Sequence, residues 1–561
     1  MDAVDFSEIQ VPTPTPEDVR QQYEALNQQL AIATDANTAM AVVADWDQLR
    51  RRLDTWQNLT HLQFSRDTRD ADAKAALEYC DELRPKLTEL EVAMKRRLLD
   101  GPWLGEIRQR FGDQVIALWQ SHVLTYEPAI EQAMVREAKI GNDYTELLAS
   151  ASFEFRGETT NIEGIRKYLV DADRQTRHDA AEMLWSWFAS QREPLDTLYD
   201  EQVKLRDSMA RTLGFENFIG LGYKRMNRVD YDLHDVERYR AAVRDQVVPL
   251  ATELRNRQAQ QLGVDQLMFW DEGIHDPTGN PKPQGDHDWM IDRAKEMFDA
   301  MGGGLGEFFH MMDRCHLMDL KNRPTKAGGG FCTDFPAFGV PYIYANFNGT
   351  KGDVEVFTHE IGHAFQSYCS RHQPLCDYLF PTYESCEIHS MSLEFLTWPE
   401  MERFFGDGAE RFRRIHLIQS LLFLPYGVAV DHFQHLVYAQ PNATPAERRA
   451  MWQEMERTYL PHRSYGDLPH VGDGGMWQLQ RHIYLNPFYY IDYTLAQTCA
   501  LQFWVRSRQD FGQAMQDYVA LCRRGGEAPF QELARSAGLV SPFDEGCLTD
   551  VVAQARAVLE I

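Results

Sequence analysis

Two histidines and a glutamate within five residues form the most specific chemical pattern in the sequence. His359, Glu360 and His363 occur in the segment FTHEIGHAFQ. Residues four apart lie one turn apart on an α-helix, so both imidazoles can reach one ion. Imidazole is a good zinc ligand, and a catalytic zinc site takes three protein ligands and keeps one position open for water. Glu360 is predicted to accept a proton from that water rather than to bind the metal.

The competing interpretation is an ordinary helix that carries two histidines on a solvated face. An apolar stripe from Val354 to Tyr368 should hold this helix against a core, with Thr350 as its N-cap and the histidines facing a cleft or solvent. The choice between the two interpretations depends on a third ligand. A metzincin would place a histidine at position 369, which holds Cys369, so the third ligand must come from another segment.

A second segment offers carboxylates in helical register. Residues 383–398 read YESCEIHSMSLEFLTW, and Glu384, Glu387 and Glu394 fall on one stripe of a helix. Carboxylates on one stripe repel each other unless a cation or hydrogen-bond donors face them. Glu387 and Glu394 lie two turns apart, about 10 Å along the axis, so only one of them can bind the ion directly. We expect the other to orient a histidine ring, although a solvated acidic face would give the same pattern.

The rest of the chain predicts a mainly α-helical protein with two parts. Apolar residues recur at spacings of three and four through residues 1–150, which we interpret as an N-terminal helical lobe that acts as a scaffold. Residues 151–561 are predicted to form the catalytic region, again mostly helical. One small β-sheet is expected around residues 328–347, where glycines precede short aromatic and β-branched segments next to the first motif.

The composition argues against several classes of partner. The 561 residues carry a formal net charge of −27, which repels phosphate backbones and argues against nucleic acid. The best apolar run, from Leu417, contains Pro425 and is too short to cross a bilayer, and the acidic N-terminus does not resemble a signal peptide. Nine scattered cysteines without a C-x-x-C pair indicate reduced thiols. These features predict a cytoplasmic protein without a membrane partner.

In its motifs the sequence resembles the thimet oligopeptidase / oligoendopeptidase F family of zinc peptidases, and most closely the branch that includes Pz-peptidases. The resemblance is carried by FTHEIGHAFQ, ESCEIHSMSLEF and RHIYLNPFYYIDYTLAQ, with support from GGGFCTDFPAFGVPYIYANFNGT and DADRQTRHDAAEMLW. It implies two helical lobes that enclose a deep channel, which admits short unstructured peptides and excludes folded proteins.

The same resemblance implies roles for residues of the first two motifs. His359 and His363 match the zinc histidines of the family, and Glu387 matches its glutamate ligand, so one Zn²⁺ per chain is implied. Glu360 matches the general base. Glu394 matches the second acid of the glutamate motif and is the residue predicted to orient a histidine.

A third group of candidate residues lies near the C-terminus, in QRHIYLNPFYYIDY. A tetrahedral intermediate needs hydrogen-bond donors for its oxyanion beyond a metal ion, and phenol or imidazole groups can supply them. In the family that the sequence resembles, an equivalent histidine and tyrosines bind substrate and stabilise this species. We therefore predict catalytic roles for His482, Tyr490 and Tyr493 and a substrate-binding role for Tyr489. The alternative is an aromatic stripe that belongs to the core.

Together these features predict a zinc-dependent endopeptidase that hydrolyses internal bonds of short peptides. A catalytically silent peptide-binding or scaffold protein would lack a catalytic group, and none is missing here. A zinc peptidase that trims termini is the second alternative, although no dedicated carboxylate- or amine-binding group is apparent in the sequence. Short peptides are the predicted partners, and the sequence assigns no oligomeric state.

Overall fold

The first part of the chain folds into helices, as its apolar periods predict. The structure is a computed structural model that describes residues 4–561. Its first long helix begins as expected: Pro16 occupies the first position, and the Thr15 side chain accepts a hydrogen bond from the backbone N–H of Asp18. The helices are α1 (Pro16–Ile32), α2 (Ala36–Arg66), α3 (Ala71–Leu99), α4 (Leu104–Phe111), α5 (Asp113–His122) and α6 (Glu131–Ala149).

A short β-hairpin follows, formed by β1 (Phe153–Phe155) and β2 (Glu158–Thr160). Its two-residue turn is Arg156-Gly157, with φ of 52° and 83°, the backbone conformation that tight hairpins require. This is a second sheet, in addition to the one expected around residues 328–347. Its strands have three residues each, too short for a clear alternating pattern in the sequence.

The next stretch is again helical and leads to the larger sheet. The helices are α7 (Ile162–Ile165), α8 (Arg174–Ser190), α9 (Arg192–Thr212), α10 (Phe218–Arg225), α11 (Leu233–Ala242), α12 (Val248–Leu262), α13 (His287–Met301) and α14 (Leu305–Arg314).

The larger sheet has three strands and directly precedes the helix of the first motif. It consists of β3 (Met318–Lys321), β4 (Phe331–Phe335) and β5 (Val340–Phe347), in the order β3-β5-β4. The central strand β5 pairs parallel with β3 and antiparallel with β4. Because the next helix begins at Lys351, four residues after β5 ends, this sheet fixes the start of that helix. The predicted sheet and its position are confirmed.

The remaining helices complete a mainly α protein, which confirms the predicted fold class. They are α15 (Lys351–Ser370), α16 (Tyr383–Leu396), α17 (Glu402–Phe405), α18 (Ala409–Ala439), α19 (Pro445–Tyr459), α20 (Arg481–Leu485), α21 (Tyr490–Gln509), α22 (Phe511–Arg524), α23 (Phe530–Ser536) and α24 (Cys547–Leu559). Within residues 4–561, none of the helices combines the length and apolar character needed to cross a bilayer.

Buried apolar side chains form a large core and a small one. The small core consists of residues from α1 to α5 together with Leu375 and Tyr378. These two residues belong to the connection between α15 and α16, residues 371–382, which we call the linking segment. The Tyr378 hydroxyl accepts a hydrogen bond from the backbone N–H of Val115 at 3.0 Å and donates one to the Phe111 carbonyl at 2.6 Å. The division of the chain at residue 150 remains a prediction.

Candidate metal and catalytic site

Helices α15 and α16 cross at a point of very close contact. A Cβ on Gly362 would lie 2.5 Å from Ser390 Cα and 2.6 Å from the His389 carbonyl oxygen, so only glycine fits at this position. Gly362 immediately precedes His363 in α15, and Glu387 lies one turn before Ser390 in α16. The close contact therefore brings the two predicted ligand segments together.

Three predicted metal ligands converge at this crossing. His359 Nε2 and His363 Nε2 each lie 3.2 Å from Glu387 Oε2, and the three ligand atoms all lie within 4.8 Å of one another. Two ligands about 2.0–2.1 Å from a tetrahedral ion are separated by roughly 3.3 Å. The nitrogen–oxygen distances thus suit a zinc-sized ion, and two imidazoles with one carboxylate form a donor set that zinc prefers.

The charges of this cluster also favour a cation. Burial alone would raise the pKa of the Glu387 carboxyl, but His363 and His359 lower that pKa well below its ordinary value. Burial would lower the pKa of His359, but hydrogen bonds to Glu387 and Glu394 raise it well above its ordinary value. Glu387 and Glu394 are therefore ionised. A divalent ion bound between the imidazoles would take the place of the protons that these carboxylates attract.

Glu394 orients His359, as one of the two carboxylates was expected to do. His359 Nδ1 donates to Glu394 Oε1 at 2.8 Å, which leaves Nε2 facing the point of convergence. The other oxygen, Oε2, lies 2.8 Å from His416 Nε2. Trp398 Nε1 lies 2.9 Å from His416 Nδ1. Because an indole N–H can only donate, His416 Nδ1 must accept, and its proton resides on Nε2 and points to Glu394. A continuous hydrogen-bond chain therefore runs from Trp398 to His359.

The other histidine of the cluster, His363, has a weaker hydrogen-bond partner. His363 Nδ1 lies 3.3 Å from the Cys386 thiol, and a sulfur is a weak hydrogen-bond partner. Burial raises the pKa of this thiol well above its ordinary value, so it stays protonated. The two histidines are thus held unequally, one by an ionised carboxylate and one by a thiol.

Glu360 lies beside the ligands without joining them. Its side chain is buried, and Oε2 has no hydrogen-bond partner among residues 4–561. Burial raises the pKa of this carboxyl, although His359 and His363 oppose the change. Gly330 packs against it, since a Cβ at that position would come within 3.2 Å of Glu360 Oε1. An unpartnered buried carboxylate oxygen is costly, and it is the acceptor that a general base requires.

His482 and Tyr493 form a hydrogen-bonded pair near the metal cluster. Tyr426 donates to Gln480 Oε1 at 2.9 Å, so the amide NH₂ of Gln480 faces His482 Nδ1 at 2.8 Å. Nδ1 therefore accepts, and His482 Nε2 carries the proton and donates to the Tyr493 hydroxyl at 3.1 Å. The Tyr493 O–H remains available to donate to another acceptor. Burial lowers the pKa of His482 to about 4, so this imidazole is neutral at pH 7.

The other two tyrosines have different surroundings. The Tyr489 hydroxyl donates to Glu387 Oε1 at 2.5 Å, which supports a role in holding that carboxylate, while its substrate-binding role remains a prediction. Tyr490 packs with its ring centroid 5.3 Å from that of His482, but its hydroxyl makes no hydrogen bond within the described part of the chain. Of the tyrosines, Tyr493 therefore combines contact with His482 and a free donor.

The prediction that Thr350 caps α15 is only partly correct. The helix begins after Thr350, as predicted, but the Thr350 hydroxyl donates to Asn348 Oδ1 at 2.8 Å instead of accepting from the helix. Asp353 accepts the backbone N–H of Asn348 at 2.9 Å and thereby closes the turn that follows β5. The turn chemistry thus differs from a capping box, although it starts the helix at the same residue.

The polar face of α15 is more buried than the sequence suggested. Only His359 retains appreciable exposure, at 18% of its side chain, whereas His363, Glu360 and Gln366 are buried. Gln366 donates to the Leu379 carbonyl of the linking segment at 3.0 Å. An apolar stripe in the sequence does not reveal that a helix is covered on both faces. In the sequence, a buried polar residue that hydrogen-bonds to a distant segment cannot be distinguished from a solvent-exposed one.

Several residues of the site were not predicted from the sequence. His416 and Gln480 act through contacts with Glu394 and His482, and nothing in their spacing marks them. Gly362 did carry a signal, since a glycine in the middle of a helix often marks a close approach of another backbone.

Two family models match the chain. Residues 6–126 match the Peptidase M3 N-terminal domain, and residues 296–552 match Peptidase family M3. No curated protein sequence matches the chain significantly.

Solved structures are similar over nearly the whole chain. Pz peptidase A with inhibitor 2 is 42% identical, with a TM-score of 0.98 and 99% of each chain covered. A candidate oligoendopeptidase F is 44% identical, with a TM-score of 0.98, and covers 100% of this chain and 99% of its own. A candidate oligoendopeptidase F from Bacillus anthracis str. Ames is 40% identical, with a TM-score of 0.93 and the same coverage.

A helical protein whose two consecutive helices bring two histidines and a glutamate together has the fold and donor set of a metallopeptidase. The chain belongs to peptidase family M3. The resemblance to oligoendopeptidase F and Pz-peptidases is confirmed, and the protein is a peptidase.

Proposed function

We propose that this peptidase is a zinc-dependent endopeptidase that hydrolyses internal bonds of short peptides. One Zn²⁺ per chain would be held by His359, His363 and Glu387. The observation that carries the proposal is the convergence of these three ligand atoms within 4.8 Å, next to the unpartnered carboxylate oxygen of Glu360. A structural metal site would have a fourth protein ligand, whereas a catalytic site leaves that position open.

A zinc ion in this site would supply Lewis-acid polarisation of the water and of the scissile carbonyl. Glu360 accepts the proton that the attacking water loses and then delivers that proton to the leaving amine. Glu394 keeps His359 oriented with Nε2 toward the ligand cluster, and Tyr489 restrains the second oxygen of Glu387.

Tyr493 is proposed to donate to the oxyanion of the tetrahedral intermediate. Its hydroxyl accepts from His482 Nε2, so its own proton is free to point to a developing negative charge. His482 holds the phenol in place and strengthens it as a donor.

We infer that an extended substrate lies beside Glu360, along the edge strand β4. β4 pairs with β5 on one side only, and its first residue, Phe331, follows Gly330, which packs against Glu360. Strand addition to β4 would bring a peptide backbone past the proposed base, and main-chain recognition of this kind suits peptides of varied sequence.

The substitution Glu360→Gln tests the proposal. We expect the variant to retain one zinc per chain by mass spectrometry of metals, because Glu360 is not a ligand. Turnover of an internally quenched fluorescent peptide should fall by about 10²- to 10⁴-fold, the usual contribution of a general base. Mass spectra of the products should show internal cleavage rather than loss of single terminal residues.

Glu355→Gln is the matched control. Glu355 lies on the same helix, one turn before His359, and pairs with Lys351 instead of with any of the proposed ligands. Its substitution should leave turnover close to that of the wild type. Normal turnover by the Glu360→Gln variant would overturn the assigned mechanism, and a purified protein without stoichiometric metal would overturn the zinc site.

A further inference from the structure

A cavity separate from the peptidase site lies between α16, α18, α21 and α24. Its volume is about 440 Å³, within the range of roughly 300–1,000 Å³ that small-molecule sites occupy. None of the residues proposed to bind metal or to carry out catalysis lines this cavity. We call it the effector cavity; its principal lining residues are Phe395, Trp398, Leu417, Trp504, Phe511 and Leu559.

The walls of the effector cavity are apolar and largely aromatic. The ring centroids of Trp398 and Trp504 are 6.1 Å apart, and Phe395 lies 5.1 Å from Trp398 and 6.3 Å from Trp504. Leu417 and Leu559 add aliphatic surface. A cavity of this kind favours a ligand with an aromatic or aliphatic body.

Basic side chains outnumber acidic ones on the cavity lining, where Arg413, Arg414 and Arg508 lie with one acidic residue, Glu410. Arg413 already has carboxylate partners, Glu402 at 2.8 Å and Glu410 at 3.1 Å. Arg414 and Arg508 also line the cavity, and within residues 4–561 neither of them forms an ion pair. Arg414 makes one long hydrogen bond, of 3.4 Å, to the Leu559 carbonyl, and the Arg508 guanidinium lies 5.5 Å from the Trp504 ring centroid.

Arg414 and Arg508 thus leave two guanidinium groups without carboxylate partners on the lining of one cavity. Guanidinium groups bind carboxylates through paired, charge-assisted hydrogen bonds. An anionic head between Arg414 and Arg508 would therefore complement the apolar body that the cavity walls favour.

One wall of the cavity is connected to the metal site by a chain of hydrogen bonds. Trp398 lines the cavity, and its indole N–H starts the hydrogen-bond chain through His416 and Glu394 to His359. A ligand that packs against the Trp398 ring would contact the side chain that fixes the proton position of His416. Partners behind a metal-binding histidine commonly change metal affinity by about 10- to 100-fold when they are altered.

We propose that the effector cavity binds a small carboxylate with an apolar body and that its occupancy alters metal retention at the peptidase site. Both fatty acids and the C-terminal residues of hydrophobic peptide products carry this chemistry. The coupling to metal rests on the proposed zinc site, whereas binding to the cavity does not.

Binding is tested by calorimetric titration of the purified full-length holoenzyme with decanoate and, separately, with N-acetyl-L-phenylalanine. Saturable binding of decanoate alone would identify a lipid-type ligand, and binding of N-acetyl-L-phenylalanine would identify a peptide-type ligand. The neutral analogues decanol and N-acetyl-L-phenylalaninamide should bind at least about tenfold more weakly, because they lack the charge-assisted hydrogen bonds.

The double variant Arg414→Leu/Arg508→Leu should lose at least about tenfold in affinity for the carboxylate that binds. Arg457→Leu is the matched control, since Arg457, like Arg508, lies exposed in the last turn of a helix and forms no ion pair within residues 4–561. A ligand held in the peptidase site would bind the double variant normally. That result, or no saturable binding of either carboxylate, would overturn the cavity as a binding site.

Coupling is tested by the rate at which zinc transfers to a chelator, with and without saturating carboxylate. We expect a change of about fivefold or more, the lower end of common allosteric couplings. Trp398→Phe keeps an aromatic wall but removes the N–H donor, so it should still bind the ligand while the effect on zinc transfer disappears. An unchanged rate in the wild type would overturn the coupling. If the protein holds no zinc, the proposed function fails, and the calorimetric test of the cavity still stands.

Discussion

The two histidines of the proposed metal site differ in what holds their second ring nitrogen. Glu394 accepts two N–H groups, one from His359 and one from His416, and so needs both of its oxygens. His363 has only the Cys386 thiol at that position. We therefore expect the orientation of the proposed metal site to depend mainly on Glu394.

Glu394→Gln tests this dependence. Glutamine keeps the size of the side chain but offers one acceptor and one donor, so one of the two imidazole N–H groups must face an N–H. We expect zinc affinity to fall by about 10- to 100-fold in competition with a chelator. Glu400→Gln, in which the glutamate pairs with Arg403 rather than with a histidine, should leave zinc affinity unchanged. Equal affinities in all three proteins would contradict the role of Glu394.

The proposed oxyanion donor can be separated from its neighbour by a pair of conservative substitutions. Tyr493→Phe removes the hydroxyl that contacts His482, and we expect kcat to fall by about 10²- to 10³-fold with little change in KM. Tyr490→Phe removes a hydroxyl without a hydrogen bond within the described residues and should have a much smaller effect. Steady-state kinetics on one fluorescent peptide compares them, and similar losses in kcat would refute the assignment to Tyr493.

The crossing of α15 and α16 determines the distance between the histidines and Glu387. Gly362→Ala would place a methyl group 2.5 Å from Ser390 Cα and 2.6 Å from the His389 carbonyl oxygen, closer than atoms can pack. Overpacking of this kind costs roughly 1–3 kcal/mol of unfolding free energy. The helices must separate to accommodate it, so we also expect weaker zinc binding.

Gly352→Ala in the first turn of the same helix is the control for Gly362→Ala. Its methyl group would meet only the Thr350 side-chain oxygen, at 3.3 Å. Alanine is favoured over glycine in a helix by about 0.5–1 kcal/mol, so this variant should be as stable as the wild type or more stable. Chemical denaturation with and without zinc measures both effects. A Gly362→Ala protein with wild-type stability and zinc affinity would rule out the close contact.

Local sequence patterns were sufficient to predict the two helices that carry the proposed metal ligands. The spacing of His359 and His363 and the stripe that contains Glu387 and Glu394 follow from helical geometry alone, and both helices form where predicted. The partners His416 and Gln480 were not predictable, because they reach the site through packing between distant segments. The burial of the polar face of α15 escaped prediction for the same reason: it depends on what covers the helix.

For the molecule as a whole, buried neutral histidines make stability depend on pH. Burial lowers the pKa of His122, His432, His462 and His470 to about 4. The unfolded chain binds these protons near pH 6.5, so between about pH 6.5 and 4 the folded state binds fewer protons than the unfolded state. The free energy of unfolding that these groups contribute is thus present above pH 6.5 and is lost as the pH falls toward 4.

His470→Asn measures the contribution of one such group. The His470 backbone has φ of 69°, which asparagine tolerates, and the ring is 1% exposed. Urea denaturation at pH 7 and at pH 4.5 should show a smaller loss of stability in the variant than in the wild type. The two proteins should differ in this loss of stability by about 3 kcal/mol at most, which corresponds to lowering the pKa of one histidine from 6.5 to about 4. Parallel pH profiles would show that folding does not lower the pKa of His470.

The linking segment connects α15 to α16, and the helices of the small core hold it firmly. Arg51 donates to the Gln373 carbonyl at 2.8 Å, and Arg50 pairs with Asp377 at 2.8 Å. The linking segment therefore ties the N-terminal helices to the two helices that carry the imidazoles and Glu387. In the proposed zinc-bound protein, a metal that holds α15 and α16 together would also favour these contacts of the linking segment, and by thermodynamic reciprocity the contacts would favour metal binding.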